Sequence, residues 1–309
     1  MRDKSLQDRN VPDQEIAEAP SAPKAETHRN LFDRNPHLDT SKARPLAPIG
    51  VFDSGAGGLT ILSALRQELP QEDYIYFGDT EHCPYGKRTE TDITALTVDA
   101  CRLLVEQGVK LIVVACNTAS QAALQAVRAT FSLPIVGVVP AVKPAARMTK
   151  NGRIGIAATD QAARSAYLRQ LIADFAGDIQ AYTAGCSALV TLVERGELAG
   201  PAVEQTLRTV LAPLTDQDID VLVLGCTHFP AMRAAIEHVV GERVQVIDSA
   251  AAIARRTHSI LLAENVLHPS HGRAQQGNLQ VWCSGDAKHF SDVASAILGY
   301  SVVASQKEE

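Results

Sequence analysis

The sequence is poor in aromatic residues and has no long hydrophobic run. Phe, Trp and Tyr make up only 5% of its 309 residues, and no apolar run reaches the roughly 20 residues that a membrane-spanning helix needs. The N-terminus also lacks the apolar region of a secretory signal peptide. These absences predict a cytoplasmic protein with no membrane partner.

Runs of basic residues are missing as well. The formal net charge is -6, from 29 Lys and Arg residues against 35 Asp and Glu residues. Surfaces that bind nucleic acid are usually strongly basic, so we expect no nucleic-acid partner. A small anionic substrate is still allowed, because a few local hydrogen-bond donors are sufficient to bind one.

The cysteines do not form CxxC pairs. They lie at positions 83, 101, 116, 186, 226 and 283. This scatter is typical neither of a zinc site nor of a small disulfide-bonded scaffold, and it favours reduced thiols. His82 precedes Cys83, but no second ligand pair follows at a usable spacing, so we predict no metal site.

The chain divides into a polar N-terminal segment and a longer alternating part. Residues 1–47 are rich in charge and proline and poor in large apolar residues, so we expect a disordered extension. From residue 48 onward, short apolar runs alternate with helical patterns, which predicts an α/β fold with parallel sheets. A chain of this length usually forms two domains, and the pattern starts over between residues 140 and 151.

Two segments of the chain are near-copies of each other. KLIVVACNTAS runs from Lys110 to Ser120, and DVLVLGCTHFP runs from Asp220 to Pro230. Their β-branched and Leu runs suit strands buried on both faces of a parallel sheet. The cysteines Cys116 and Cys226 then fall at strand ends, where open α/β sheets bind ligands. The sequence therefore predicts two thiols on opposite sides of one small molecule.

The cysteines divide into structural and functional candidates. A lone buried cysteine is usually a small apolar core residue, and this interpretation suits Cys101, Cys186 and Cys283. Cys116 and Cys226 differ because hydrogen-bonding residues follow both of them. His228 could be a buried structural histidine or an acid/base partner of the Cys226 thiol, and its position favours the second role.

Two further segments supply candidate donors at strand ends. The turn from Asp53 to Gly58 is rich in glycine and exposes backbone N–H groups at a helix start, which suits an anion. A carboxylate at that turn, Asp53, indicates a bound ammonium or assistance to a base. The loop from Cys83 to Arg88 contains Tyr85, whose side chain and neighbouring N–H groups are candidate donors to a carboxylate.

Together these motifs resemble the glutamate racemase family of the aspartate/glutamate racemase superfamily. The matching segments are VFDSGAGGL, FGDTEHCPYGKR, VVACNTAS, VVPAVKPAA and LGCTHFP. The resemblance implies two Rossmann-like α/β domains with parallel sheets, related by a pseudo-twofold axis, with the active site in the interdomain cleft. The first domain would comprise residues 48–144 plus 251–309, and the second residues 145–250.

The resemblance also assigns roles to residues. It makes Cys116 and Cys226 the two acid/base thiols, with Asp53 assisting the first and His228 the second, and it places Glu194 behind His228. The substrate would contact Asp53, Ser54, Tyr85, Gly86, Asn117, Thr118, Thr227 and His228. Ala162 stands where the family commonly has a second hydroxyl residue.

The implied activity is a racemisation that needs no cofactor. Without pyridoxal phosphate or a metal, one thiolate would remove the α-proton of glutamate and the opposite thiol would return one. The resemblance further implies a homodimer, a supply of D-glutamate for peptidoglycan, and possible regulation by a cell-wall precursor.

Other functions stay open from the residues alone. An aspartate racemase, a hydantoin racemase or a single-cysteine decarboxylase of the same superfamily is one group of alternatives. A two-domain binding protein that holds a small anion without chemistry is another. Paired cysteines and His228 favour the glutamate racemase.

Overall fold

The computed structural model of the protein describes residues 45–270 and 276–307. The disorder expected for residues 1–47 therefore concerns a segment that lies almost entirely outside the described residues. Within the described ranges, no helix is both long enough and apolar enough to cross a membrane.

Ten strands are assigned in the described part of the chain. They are β1 Ile49–Asp53, β2 Tyr74–Gly78, β3 Leu111–Val114, β4 Ile135–Gly137, β5 Arg153–Ala158, β6 Gln180–Gly185, β7 Val221–Leu224, β8 Gln245–Ile247, β9 Leu279–Cys283 and β10 Ala304–Gln306.

Eleven α-helices connect and flank these strands in the same ranges. They are α1 Leu59–Glu68, α2 Glu90–Glu106, α3 Asn117–Thr130, α4 Val142–Met148, α5 Asp160–Arg164, α6 Ala166–Ala176, α7 Ser187–Glu194, α8 Pro201–Thr215, α9 Arg233–Val240, α10 Ala250–Ala263 and α11 Ala287–Leu298. Short 3₁₀ turns cover Tyr85–Lys87 and Phe229–Met232.

The strands form two parallel sheets. One has six strands in the order β10-β9-β2-β1-β3-β4, and the other has four in the order β6-β5-β7-β8. In each sheet the chain leaves a central strand toward one side and later continues on the other side. These reversals lie between β1 and β3 and between β5 and β7, and such switch points are where open α/β sheets bind ligands.

The central strands are buried on both faces, as their apolar runs predict. In β3, Leu111 and Val113 join one hydrophobic cluster, whereas Ile112 and Val114 join another on the opposite face. In β7 the same alternation separates Leu222 and Leu224 from Val221 and Val223. Helices on both faces of each sheet cover these clusters, which confirms the predicted α/β class.

Some predicted elements differ from the observed ones. The sequence pattern predicts one helix from Arg164 to Phe175, but the backbone is extended at Ser165 and separates α5 from α6. The hydroxyl of Ser165 accepts a hydrogen bond from Leu168 N over 3.0 Å, so this residue caps a new helix.

The described part of the chain ends in a strand rather than in a helix. The sequence pattern predicts α11 as the last element, whereas β10 follows it and pairs with β9. Three residues give too short a hydrophobic pattern to predict a strand.

Candidate active site

The two predicted thiols meet at the switch points of the two sheets. Cys116 follows β3 of the six-stranded sheet, and Cys226 follows β7 of the four-stranded sheet. Both line one cavity, together with Ser54, Pro84, Tyr85, Gly86, Asn117, Thr118, Thr159, Val190, Thr227 and His228. Its volume is about 10 Å³, the space of a single water molecule. The site is thus tightly closed around the two thiols.

Cys116 caps the N-terminus of α3. Its Sγ accepts a hydrogen bond from Ala119 N over 3.4 Å and lies 3.4 Å from the hydroxyl of Ser54. Burial and the nearby Asp53 carboxyl raise the pKa of the Cys116 thiol to about 12, against the hydrogen bonds from Ser54 and Ala119. The balance keeps Cys116 protonated near neutral pH.

Asp53 is fully buried at the end of β1. Its carboxylate accepts hydrogen bonds from Gly55 N over 2.8 Å and from Thr227 Oγ1 over 3.1 Å. Burial raises the pKa of Asp53 to about 6, although His228 and the Gly55 N–H act in the opposite direction. This carboxyl therefore joins the glycine turn of one sheet to the cysteine segment of the other.

Cys226 has an imidazole beside it and a carboxylate behind that imidazole. Its Sγ lies 3.7 Å from His228 Nδ1, and His228 Nε2 donates to Glu194 Oε1 over 2.5 Å. Burial opposes a charge on His228, but hydrogen bonds to Cys226, Cys83 and Glu194 raise its pKa well above the ordinary value. The cluster thus holds a protonated imidazole next to the Cys226 sulfur.

Glu194 is fixed by the backbone of the glycine turn. Ala56 N donates to its Oε1 over 2.7 Å. Burial alone would raise the pKa of Glu194, but His228 holds it below its ordinary value. A Cβ at position 55 would lie 2.1 Å from Glu194 Oε1, and one at position 57 would lie 2.3 Å from His228 Nδ1. These two glycines are therefore required for the close approach of the His228–Glu194 pair.

The remaining predicted contact residues line the same cavity in different ways. Asn117 Oδ1 is buried and, among the described residues, has no hydrogen-bond partner, so it can accept one from a ligand. Thr118 Oγ1 lies 3.2 Å from Thr159 Oγ1. Tyr85 donates its hydroxyl to the buried Asp79 over 2.6 Å, which fixes the loop that places Gly86 at the cavity.

Two residues at the site did not emerge from the sequence. Thr159 follows β5 and occupies the same place in the four-stranded sheet that Ser54 takes after β1, so its strand-end position was a usable signal. Cys83 gave no such signal, because its neighbours in space are distant in sequence. Its sequence neighbour His82 bonds to Asp79 through Nδ1 over 2.8 Å.

Three side chains at the edge of the site have the chemistry of metal ligands. Cys83, Glu194 and His228 each offer one ligand atom, and these atoms lie within 4.8 Å of one another. Beside them is a cavity of about 290 Å³, which Cys83 and Glu194 line together with Asp286 and His289. All six cysteines are described and none forms a disulfide.

This chain has relatives among known proteins. The Asp/Glu/hydantoin racemase family matches residues 58–257. A glutamate racemase of Herpetosiphon aurantiacus is 43% identical over 250 residues, covering 81% of this chain and 97% of the relative. One from Deinococcus radiodurans is 44% identical over 80% of this chain and 85% of the relative.

A solved structure agrees with these sequence matches. Escherichia coli glutamate racemase, in complex with L-glutamate and the activator UDP-MurNAc-Ala, superposes with a TM-score of 0.74 and 35% identity. The alignment covers 85% of this chain and 98% of that one. On this sequence and fold similarity, the chain belongs to the Asp/Glu/hydantoin racemase family.

Proposed function

We propose that this protein is a glutamate racemase that works with two cysteines and without a cofactor. The observation that carries the proposal is the meeting of Cys116 and Cys226, from two different sheets, at one closed cavity. Racemisation needs a base on one face of the α-carbon and an acid on the other, because a single group cannot easily reach both. Relatives that carry the name glutamate racemase support the choice of substrate.

In one direction, the Cys226 sulfur acts as the base. As a thiolate beside protonated His228, it takes the α-proton, and the electron pair of the broken C–H bond stays on the substrate. The Cys116 thiol then gives its proton to the opposite face. This leaves a Cys226 thiol and a Cys116 thiolate, which is the state required for the reverse direction.

The high pKa of the Cys116 thiol suits it to start as the acid. When it becomes the base for the other enantiomer, the substrate's α-ammonium supplies the positive charge that favours a thiolate. Asn117 Oδ1, an unpartnered buried acceptor, can hold that ammonium.

Charge on the substrate carboxylate grows as the α-proton leaves. The hydroxyls of Ser54, Thr118 and Thr227 line the cavity, and the N–H groups at the start of α3 add their dipole. Hydrogen bonds that strengthen as negative charge develops stabilise the transition state more than the bound substrate. Exclusion of water from so small a cavity increases their effect.

Substrate must reach this site through an opening of the structure, since about 10 Å³ is far below the volume of an amino acid. A larger cavity of about 660 Å³ adjoins it, and Gly86 and Thr118 line both. Lys87, Arg88 and Arg164 border this larger cavity together with Glu90 and Asp160, so one positive charge in excess remains there to attract a dicarboxylate. We propose this cavity as the access route.

The wider assignment follows the family. We propose two domains, residues 48–144 with 251–309 and residues 145–250, that move apart to admit glutamate, in a cytoplasmic homodimer that supplies D-glutamate for peptidoglycan. The relative from E. coli binds UDP-MurNAc-Ala as an activator, and we propose a cell-wall precursor as a regulator here.

The direct test is racemisation in heavy water. Circular dichroism should show that the purified protein converts L-glutamate and D-glutamate to the same racemic mixture without an added cofactor. Product from either enantiomer should carry deuterium at the α-carbon, because solvent exchanges with the thiols. Conversion of aspartate with no conversion of glutamate would refute the substrate assignment, and conversion without deuterium would refute the two-thiol mechanism.

A further inference from the structure

The Cys83 thiol takes no part in the proposed reaction, yet it lies against the His228–Glu194 pair. It comes from the loop after β2, while Glu194 ends α7 and His228 follows β7. One ligand atom from each of the three lies within 4.8 Å of the others. Thiolate, imidazole and carboxylate are the three kinds of ligand that Zn²⁺ takes in proteins.

We propose that Cys83, Glu194 and His228 bind a zinc ion that inhibits the enzyme. Zinc–ligand bonds of about 2.0–2.3 Å in a tetrahedron place neighbouring ligand atoms roughly 3.3–3.8 Å apart. The three atoms are already within 4.8 Å of one another, so small side-chain movements are sufficient. Harder ions such as Mg²⁺ prefer oxygen ligands and would bind this set poorly.

The surroundings allow an ion to enter and complete its coordination. Cys83 and Glu194 border the cavity of about 290 Å³, and the Glu194 side chain is 21% exposed. A water molecule in this cavity can serve as the fourth ligand. The Ala56 N–H, which donates to Glu194 Oε1, would orient that carboxylate from outside the first coordination shell.

Metal binding would remove His228 from acid/base chemistry. Coordination releases the Cys83 thiol proton and any proton on the coordinating ring nitrogen. His228 has hydrogen bonds to Cys226 through Nδ1 and to Glu194 through Nε2. An ion on Nδ1 would displace Cys226, and an ion on Nε2 would replace the hydrogen bond to Glu194 because both side chains would then bind the ion. The inhibition rests on the proposed function, whereas the binding does not.

Binding is tested with Co²⁺ as a coloured substitute for Zn²⁺, on the full-length chain. The variant Cys116→Ser/Cys226→Ser removes the two thiols of the closed cavity from competition. We expect one Co²⁺ per chain with a thiolate-to-cobalt charge-transfer band in the near ultraviolet, and loss of that band when Cys83→Ser is added. Cys101→Ala, in the same background, is the control that should retain it.

A second variant keeps the test decisive if Cys83→Ser does not fold. Glu194→Ala in the same background should weaken Co²⁺ binding by about tenfold or more, since even outer partners of metal ligands contribute about that much. A band that survives Cys83→Ser, or no band in the double serine variant, would overturn the site.

Inhibition is tested separately with Zn²⁺ alone and an active enzyme. The zinc concentration that halves racemisation, relative to each protein's own uninhibited rate, should rise by about tenfold or more in Cys83→Ser. A chelator should restore activity, and Mg²⁺ should have no effect. Equal zinc sensitivity of the two proteins would overturn the inhibitory role, and absence of racemisation would refute the proposed function while the cobalt result still decides the site.

Discussion

The two cysteine sites differ in their chemistry although their strands are near-copies. Cys116 is surrounded by a hydroxyl, a helix N–H group and an acidic carboxyl. Cys226 faces the imidazole of His228, which Glu194 supports from behind. The two enantiomers of glutamate have equal energies, but the surroundings of the two thiols are not symmetric.

In the proposed reaction, the two bases would therefore differ in their surroundings. Burial and the Asp53 carboxyl favour a neutral thiol at Cys116, so this group carries its proton near neutral pH. The Cys226 side places a proton carrier next to the sulfur. The groups around each thiol, rather than the strands that precede them, determine its hydrogen bonds and its charged neighbours.

Removing either cysteine sulfur is expected to have the largest effect on the reaction. Cys116→Ala and Cys226→Ala should each lower the racemisation rate by about 10²- to 10⁴-fold, the usual contribution of a positioned acid or base. In heavy water each variant should still exchange the α-proton of one enantiomer slowly, and the two variants should differ in which enantiomer they exchange. NMR of recovered glutamate measures this, and exchange of the same enantiomer by both variants would contradict opposed thiols.

Removing the imidazole acts directly on the Cys226 side. His228→Asn should lower kcat/KM by about 100-fold, and Glu194→Gln by less, because Glu194 acts through His228. Both enantiomers must lose kcat/KM equally, because their equilibrium constant is one. Glu197→Gln, at an exposed site three residues further on, is the control. Wild-type kinetics in His228→Asn would exclude its acid/base role.

Asp53→Asn tests the environment of the Cys116 side through the pH dependence of the free energy of unfolding. The folded-state pKa of about 6 lies above the ordinary 3.8, so the folded chain binds more protons than the unfolded chain between these values. The contribution of Asp53 to stability therefore falls as pH rises through this window and stays low above it.

The amide should remove this penalty above pH 6 and raise the free energy of unfolding by about 3 kcal/mol, with the gain shrinking toward pH 4. Urea unfolding at several pH values measures the difference. The exposed Asp178→Asn is the control, and a constant difference at all pH values would contradict the assignment. Racemisation should decrease in Asp53→Asn if the carboxyl assists Cys116.

The smallest expected effect concerns the link between the two sites. Thr60 Oγ1 donates to Gly57 O and to Thr227 O, both over 2.9 Å, and so ties α1 to the Cys226 segment. Thr60→Val should destabilise the protein by about 1 kcal/mol, the typical value of such a hydrogen bond. Thr130→Val, whose hydroxyl bonds only within its own helix, should change the unfolding midpoint less; equal losses would mean that the link contributes nothing.

Much of the site could be predicted because its residues follow buried strands. Asp53, Cys116 and Cys226 each end such a strand, and Ser54, Asn117 and Thr227 are their immediate neighbours. Glu194 came only from family resemblance, since it ends a helix with no local pattern that marks a function. Cys83 was not predicted to bind a metal, because no second ligand pair follows it at a usable spacing; Glu194 and His228, its neighbours in space, lie far away in the sequence.

The positions of the strands and the chemical groups at their ends follow from the amino-acid sequence alone. Hydrophobic periodicity and adjacent polar residues are local properties, so they can be read without a structure. The hydrogen bond from Ala56 N to Glu194, 138 residues apart, and the one between Glu194 and His228, 34 residues apart, arise from the three-dimensional fold. Those contacts depend on how two separate sheets pack at Gly55 and Gly57, and no local pattern encodes that distance.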